Sequence, residues 1–325
     1  MLDSTGIETN EAAGRLEAIL GLSVPETHRH IYDEAKRIAD EILIPAANLH
    51  DREESFPEDQ VRILAQGGFM GILAPKEFGG QGLDNLALTL ALEEINRGCA
   101  STGVTLSVHN SLLSSPLLHF GTEEQKARFF PGLASGESMG AYAITEPDHG
   151  SDALSIETTC RREGDEWILN GTKAWITNGS RAGTIITFAT MDPALRSKGI
   201  NAFVVDPTMP GFSVGKKELK LGIRGSDTVQ LVFDEMRVPA ENLLGEEGQG
   251  GSRDQELLDC ALVGLALLRS SLRVIPRPEL LVSVQDARSQ RGWRGRAARR
   301  AGCTARCSRR RCRARRRRCP CRPPR

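Results

Sequence analysis

The stretch AYAITEPDHGSD (residues 141–152), followed by NGTKAWITNG (residues 170–179), marks the point at which the sequence changes character. Before residue 140, apolar side chains recur at helical spacing. After it, short runs rich in β-branched and aromatic residues are separated by Gly, Asn, Asp or Pro. The pattern predicts an α+β fold, with an N-terminal all-α domain followed by a β domain. Because the strands succeed one another without helices between them, we expect an antiparallel barrel or sandwich.

The predicted strands are short and closely spaced. They cover residues 141–145, 156–161, 166–169, 174–177, 184–190, 202–206 and 228–233. Asn170-Gly171 falls between two of these runs, and both residue types tolerate the positive φ of a tight hairpin. We therefore expect a hairpin turn at that pair.

The helical part carries recognisable boundaries. One apolar helix face contains Ile31, Ala35, Ile38 and Ile42, and this helix should begin after Pro25 and end near Pro45. A shorter helix should end at the glycines 67–68, and residues 84–96 should form a helix buried on most sides. The spacing in residues 122–125 is that of a capping box, which opens a helix expected to stop by Pro131.

The net charge of zero hides two unlike segments. Among 325 residues there are 42 basic and 42 acidic ones, but residues 288–325 carry 17 Arg and no acid, and residues 1–287 are strongly acidic. Such a body disfavours nucleic-acid binding. Its longest apolar run, residues 260–268, is far shorter than the ~20 residues of a membrane span. The acid-rich N-terminus fits neither a secretory signal nor a transit peptide, so we expect a cytoplasmic protein.

The C-terminal tail is rich in Arg and Cys. The spacing of Cys303, Cys307 and Cys312 permits a zinc site, and the arginines could neutralise nucleic-acid phosphates. The tail has neither a histidine nor a paired C-x-x-C, Trp293 is its only aromatic residue, and it contains no branched aliphatic residue. We expect a disordered tail with no metal site and no specific nucleic-acid partner.

The two quoted motifs have a physical interpretation of their own. Gly150-Ser151 leaves backbone N–H groups accessible, and such a loop can receive a phosphate or the edge of a flavin. Trp175 and Thr177 alternate with Ile176, so an indole and a hydroxyl share one strand face, where they could cover an aromatic ring. The alternative is that Trp175 belongs to the core and the hydroxyls satisfy turns.

The sequence contains three further blocks that belong with the two motifs. They are LAPKEFGGQG (residues 73–82), SVHNSLLSSPLLHFGTEEQKARFFPGLASGE (residues 107–137) and KELKLGIRGSDTVQLVFDEMRVPAENLLGEEGQG (residues 217–250). Together with the two motifs, their order and spacing resemble those of FAD-dependent acyl-CoA dehydrogenases, a family of flavoprotein oxidoreductases. The second block, together with KKELKLGIRGSDT (residues 216–228), is most similar to the short-chain (butyryl-CoA) branch. The resemblance implies an N-terminal helical domain, a middle β domain and, in complete members, a C-terminal four-helix bundle.

The resemblance also implies a reaction and its participants. A short- to medium-chain acyl-CoA would be dehydrogenated to a trans-2-enoyl-CoA in fatty acid β-oxidation, with hydride transfer to FAD and electrons passed to an electron-transferring flavoprotein. By motif match, the residues that contact FAD would be Tyr142, Ala143, Ile144, Thr145, Gly150, Ser151, Trp175, Ile176 and Thr177. Ser151 would also contact the coenzyme A of the substrate. None of these residues is a catalytic base.

The resemblance stops close to Gly251. The catalytic Glu of the family lies late in the bundle or, in some relatives, early in its first helix, where this chain has Ala261. We therefore expect a chain without the catalytic Glu, truncated or shifted in reading frame after about residue 250, with the bundle largely missing. Complete members form homo-oligomers around that bundle, an assembly that its loss would weaken. The alternative function is a non-catalytic, truncated flavin- and CoA-binding fragment with an accidental basic tail.

The expected domains follow from these boundaries. They are a flexible N-terminus (residues 1–20), the helical domain (21–136), the β domain for flavin and acyl-CoA (137–245), an aberrant remnant of the bundle domain (246–287) and the disordered tail (288–325).

Overall fold

A computed structural model describes residues 24–251. The expectations for the flexible N-terminus, for the bundle remnant beyond residue 251 and for the Arg/Cys-rich tail lie outside the described residues. The helices, numbered in chain order, are α1 (Glu26–Ile38), α2 (Ile44–Glu53), α3 (Glu58–Gln66), α4 (Asn85–Gly98), α5 (Ala100–Ser107), α6 (Ser115–Phe120) and α7 (Glu123–Ser135).

Side chains and glycines define several helix ends as the sequence predicts. Asp84 caps α4, and its Oδ1 accepts hydrogen bonds from the N–H groups of Leu86 and Ala87. Thr122 and Gln125 form both hydrogen bonds of a capping box at the start of α7. Helix α3 ends at the glycine pair 67–68. These boundaries are confirmed, and each of them depends on residues only a few positions apart.

The helices do not end at the prolines where we expected them to. Pro45 lies in the first turn of α2, and the π-helical segment Ala39–Leu43 joins α1 to α2. A second π-helical segment, Val108–Ser114, precedes Pro116 in the same way. The wider turn relieves the clash between a proline ring and the carbonyl of the preceding turn, so the helical path continues. The predicted end near Pro45 is wrong.

The predicted end of α7 at Pro131 is also wrong. The helix continues to Ser135 and is followed by Gly136 in the left-handed conformation, at φ 77°. Phe130 and Leu133, on either side of the proline, are completely buried. Their packing holds the last turn in place although Pro131 donates no hydrogen bond to it.

Within the described residues, seven strands form one curled sheet in the order β1-β4-β2-β3-β7-β6, with β5 paired to β4. The strands are β1 (Met139–Ala143), β2 (Thr159–Glu163), β3 (Glu166–Thr177), β4 (Ala182–Thr190), β5 (Ile200–Val205), β6 (Phe212–Lys217) and β7 (Thr228–Pro239). The helical-then-β order is confirmed. The sequence predictions missed β6, because most of its residues are exposed and it lacks the apolar alternation of a half-buried strand.

The pairing in the sheet is mixed and not purely antiparallel as we expected. Strand β1 pairs parallel to β4, and β2 meets β4 in parallel at Thr159 and Thr190. The β2–β3 hairpin lies between β1 and β4 in the sequence. The chain therefore returns to the side of β1 by a crossover and runs in the same direction.

Strand β3 is continuous through Asn170-Gly171, so the predicted hairpin turn there is wrong. The β2–β3 turn lies instead at Gly164-Asp165, between the two strands. The register of β3 against β7 shifts between Leu169 and Gly171, which makes this site a bulge. A Cβ at Gly171 would lie 2.7 Å from the Thr158 Cα, so the backbones approach too closely there for any side chain.

Apolar packing joins the helices to the sheet. One cluster lies among the helices and contains Leu64, Phe69 and Leu92, and another lies within the sheet, where the Trp167 and Phe203 rings meet edge to face at 5.5 Å. A third cluster lies between the two parts, where residues of α6 and α7 pack against β4 and β5. The helical part and the sheet are thus parts of one packed body.

Two buried polar side chains add hydrogen bonds across this junction. The amide of Asn178 donates to the carbonyls of Thr105 and Gly140, at 3.1 and 3.0 Å. His109 Nδ1 accepts from the N–H of Gly140 at 3.0 Å, and its Nε2 donates to the Leu133 carbonyl at 3.2 Å. The start of β1 is therefore bonded to the helices through Gly140. Across residues 24–251, no helix is both long and apolar enough to span a membrane.

Candidate functional site

The two sequence motifs lie side by side where β1 ends against β3. The N–H of Ala174 donates to the Thr145 carbonyl at 2.8 Å, and Lys173 Nζ donates to the Ile144 carbonyl at 3.3 Å. These contacts bring Thr145 next to the segment that carries Trp175. Residues that are distant in the sequence therefore meet at one place on the sheet.

Trp175 lies on the surface, at a second bulge of β3. The register against β7 shifts between Lys173 and Ile176, and Trp175 adopts φ 61° with 55% of its surface exposed. Ile176 beside it is buried and Thr177 is half-buried. The interpretation of Trp175 as a core residue is therefore wrong. Positive φ is rare for a bulky residue, and such backbone strain concentrates at functional sites.

The other residues of the first motif differ in what they can offer a ligand. The ring of Tyr142 is buried and packs edge-on against Phe188 at 5.2 Å, and Ala143 is fully buried. Neither residue exposes its side chain to a molecule at the surface. Ile144 and Thr145 are half-buried, so their side chains lie closer to the surface.

Gly150 and Ser151 lie in the exposed loop at the end of the first motif. Reciprocal backbone hydrogen bonds between Glu146 and His149 form a turn just before them. Beyond Ser151, the Asp152 carboxylate accepts hydrogen bonds from Ser155 Oγ and from Arg196. A Cβ at Gly150 would contact nothing within 4 Å. The loop is thus open on the side of Gly150 and fixed by its own polar contacts.

A cavity of about 270 Å³ lies beside this turn. It is lined by residues 146–149, 157–158 and 171–172, that is, by the turn, the chain leading into β2 and the first bulge of β3. Its lining includes the buried carboxylate of Glu146 and the imidazole of His149. The hollow is therefore polar and adjoins the first motif.

A buried ion pair joins the two motifs, and sequence reasoning missed it. Lys173 Nζ lies 2.7 Å from Glu146 Oε1, with the Lys173 side chain fully buried and that of Glu146 nearly so. The Glu146 carboxylate also accepts the N–H groups of Glu157 and Thr158, at 2.6 and 3.0 Å. A lysine within an otherwise strand-like run was the available signal. Its partner could not be inferred from local spacing.

Burial and pairing act in opposite directions on this pair. Burial lowers the pKa of Lys173 to about 8, against the attraction of Glu146. Burial alone would raise the pKa of Glu146, but the charge and hydrogen bond of Lys173 outweigh it and hold that pKa below its ordinary value. At neutral pH both groups are charged, and the pair is a fixed internal bridge between the motifs.

Two histidines outside the motifs, His109 and His119, make structural hydrogen bonds. His109 is fully buried, and burial lowers its pKa to about 4, so the ring is neutral near pH 7. His119 Nδ1 lies 2.7 Å from the carbonyl oxygen of Ser115, one turn earlier in α6. In the part of the chain that the structure describes, no three His, Cys, Asp or Glu side chains converge as metal ligands.

Comparison with known proteins identifies the class of this fold and site. Residues 25–137 match the N-terminal domain of acyl-CoA dehydrogenases, and residues 141–236 match their middle domain. The chain belongs to the acyl-CoA dehydrogenase family, whose members are FAD-dependent oxidoreductases.

Individual relatives show which members of the family this chain is similar to. The chain is 46% identical over 245 residues to the mitochondrial short-chain specific acyl-CoA dehydrogenase of Homo sapiens, covering 75% of this chain and 60% of that protein. Butyryl-CoA dehydrogenase from Megasphaera elsdenii superposes with a TM-score of 0.74 at 35% identity, covering 77% of this chain and 66% of that one. A chain from the electron transferring flavoprotein structure of Acidaminococcus fermentans superposes with a TM-score of 0.75 at 40% identity, with the same two coverages. The chain thus spans about 60% of the length of the human relative.

Proposed function

We propose that this chain binds FAD against the surface where the two motifs meet, and that its substrate is a short- to medium-chain acyl-CoA. The observation that carries the proposal is the exposed indole of Trp175, held at positive φ beside Thr145. An exposed aromatic face can stack on the ring system of a flavin, and neighbouring hydroxyls and N–H groups can bond its polar rim. The short-chain relatives support the choice of substrate.

The residues that would hold FAD are those of the two motifs. Thr145 and Thr177, both half-buried, would offer hydroxyl groups, and Trp175 would offer its indole face. Tyr142, Ala143 and Ile176 are buried and would contribute backbone groups and support. The exposed Gly150-Ser151 loop would receive the phosphate-bearing part of a cofactor and the coenzyme A of the substrate.

The proposed reaction removes a proton from the α carbon and a hydride from the β carbon of the acyl thioester, which gives a trans-2-enoyl-CoA. The proton would pass to a general base that is not among the motif residues. Bound FAD would supply the hydride acceptor. The motif residues would orient the thioester and keep water from the reacting carbons. An electron-transferring flavoprotein would accept the electrons afterwards. The cytoplasmic location expected from the sequence stays a prediction.

A second candidate function is that of a protein which binds flavin and coenzyme A but does not catalyse the dehydrogenation. It is favoured by Ala261, which occupies the position where some relatives carry the Glu base, and by Gly251-Ser252, where the family has a phenylalanine after its glycines. A thioester α-proton is weakly acidic and needs a positioned base. Without such a base, substrate and cofactor could bind but hydrogen would not be lost.

One titration separates the candidates. The 325-residue chain is purified and mixed with FAD, bound flavin is followed by its absorption spectrum, and butyryl-CoA is then added without oxygen. Bleaching of the flavin supports the dehydrogenase, whereas bound flavin that does not bleach supports the second candidate. Failure to bind FAD would overturn both. Trp175→Ala is the matched variant, and we expect it to weaken FAD binding by about tenfold or more.

A further inference from the structure

Lys173 is a cation in the interior of the sheet, with a side chain that has no exposed surface. Its Nζ has two acceptors, Glu146 Oε1 at 2.7 Å and the Ile144 carbonyl at 3.3 Å. Ile144 and Glu146 are the residues on either side of Thr145. One ammonium group therefore holds the chain before and after Thr145.

Further hydrogen bonds around this ammonium group connect the neighbouring chain segments. The N–H of Ala174 donates to the Thr145 carbonyl at 2.8 Å, and Glu146 accepts the N–H groups of Glu157 and Thr158. Three segments are thereby fixed to one another: the end of β1, the chain entering β2, and the second bulge of β3. Trp175 is the residue that this bulge turns outward.

Stability alone does not explain a charged pair in this position. The cost of removing two charges from water often matches or exceeds their attraction, and apolar residues of similar volume frequently serve as well. What the pair adds is a directional contact on each side of Thr145. A hydrocarbon side chain would fill the space but would not fix the backbone of the motif.

We propose that Lys173 and Glu146 are positioning residues of the flavin site, which set the backbone of Thr145 relative to the indole of Trp175. The inference rests on the proposed function, because it concerns the geometry of the surface to which FAD would bind. Neither residue needs to touch the cofactor. Their effect reaches it through Thr145 and through the bulge that carries Trp175.

The test uses three variants of the 325-residue chain. Lys173→Met with Glu146→Gln removes both charges together, so that neither is left buried alone. Glu146→Gln alone keeps an acceptor of the same size for Lys173, and because burial already lowers the pKa of Lys173, the amine can release its proton when its counter-charge is gone. Leu92→Ala is the control, since Leu92 is fully buried in the helical cluster, away from the sheet. The measurements are FAD affinity, the absorption and circular dichroism spectra of bound flavin, and thermal unfolding without FAD.

We expect the double variant to unfold cooperatively and to bind FAD about tenfold more weakly, with altered flavin circular dichroism. Glu146→Gln should show the same spectral change with a smaller loss of affinity. Leu92→Ala should lower the unfolding temperature and leave the affinity and spectrum of bound flavin unchanged.

The outcomes separate this inference from the proposed function. If the unmodified chain binds no FAD, the proposed function fails and the inference fails with it. If the unmodified chain binds FAD and the double variant binds it with the same affinity and the same spectrum, the inference alone is overturned. Should the double variant not fold, Glu146→Gln decides, and wild-type affinity and spectrum in that variant would overturn the inference.

Discussion

The two ends of strand β1 are anchored by buried polar groups of different chemistry. At its start, Gly140 is bonded to neutral groups, the ring of His109 and the amide of Asn178. Just beyond its end, the chain around Thr145 is bonded to a charged group, the ammonium of Lys173. Neutral groups are sufficient to join a strand to helices, and burying a hydrogen-bonded neutral group costs less free energy than burying a charged one. The charged anchor is used where the neighbouring strand carries a strained, exposed Trp175.

Breaking the charged anchor should have the largest effect on stability. Glu146→Ala leaves Lys173 buried without its counter-charge and deprives two backbone N–H groups of their acceptor. We expect the free energy of unfolding to fall by about 3–5 kcal/mol, as measured by urea denaturation. The exposed Glu157 provides the control, and Glu157→Gln should change stability by less than about 0.5 kcal/mol. Equal losses in both variants would contradict a special role for the buried pair.

The neutral anchor should reveal itself through pH. Burial lowers the pKa of His109 to about 4, below its value in the unfolded chain, so as pH falls the unfolded chain takes up a proton first. The stability that depends on neutral His109 is full above about pH 6.5 and is lost towards pH 4, by an amount of about 3 kcal/mol. His109→Gln removes this titration. Urea denaturation across that range should show a shallower decline for the variant, and parallel curves would count against the assignment.

Asn178 tests the neutral anchor without titration. Asn178→Gly keeps the left-handed backbone, at φ 64° in the parent, but removes two hydrogen bonds to buried carbonyls. We expect a loss of about 2 kcal/mol, and a further loss of about 1 kcal/mol in Asn178→Ala because alanine disfavours this backbone. Thermal unfolding of both variants provides the comparison. If the alanine variant were the more stable of the two, the conformational part of the explanation would be wrong.

The smallest effect should come from relieving the strain at Trp175. In the absence of FAD, Trp175→Gly should be more stable than Trp175→Ala by about 1 kcal/mol, because glycine accepts φ 61° without strain. In a chain that also carries Glu146→Ala, this difference should shrink, since the contacts that impose the bulge are weakened. A double-mutant cycle followed by thermal unfolding measures the coupling. An unchanged difference would show that the bulge does not depend on the ion pair.

Local signals predicted much of the helical part. The capping box at Thr122 and the glycine pair 67–68 each involve neighbouring residues, so they mark helix ends in any tertiary context. The end predicted at Pro45 was wrong because a π-helical segment accommodates the proline, and a π turn has no sequence signature as clear as a proline. The end predicted at Pro131 was wrong because the packing of Phe130 and Leu133 holds the last turn in place. The strand regions other than β6 were located, but the pairing of the strands was not predicted.

The remaining features depend on contacts between distant residues. The parallel pairing of β1 with β4 follows from a crossover, and the bulge at Gly171 follows from its close approach to Thr158. The motif match predicted that Thr145 and Trp175 contact the same ligand, and in the structure the segments that carry them lie side by side. The pairing of Lys173 with Glu146 could not be predicted, since the two residues are distant in the sequence and no local pattern encodes their burial.

Gly171 carries a consequence for natural variation. A methyl group there would press on Thr158, whose N–H is bonded to Glu146, which in turn is bonded to Lys173. A change from glycine to alanine at this position would therefore propagate by simple displacement to the residues around Thr145. Among chains of this type, position 171 should tolerate fewer substitutions than the exposed Gly150, although Gly150 lies inside the more recognisable motif.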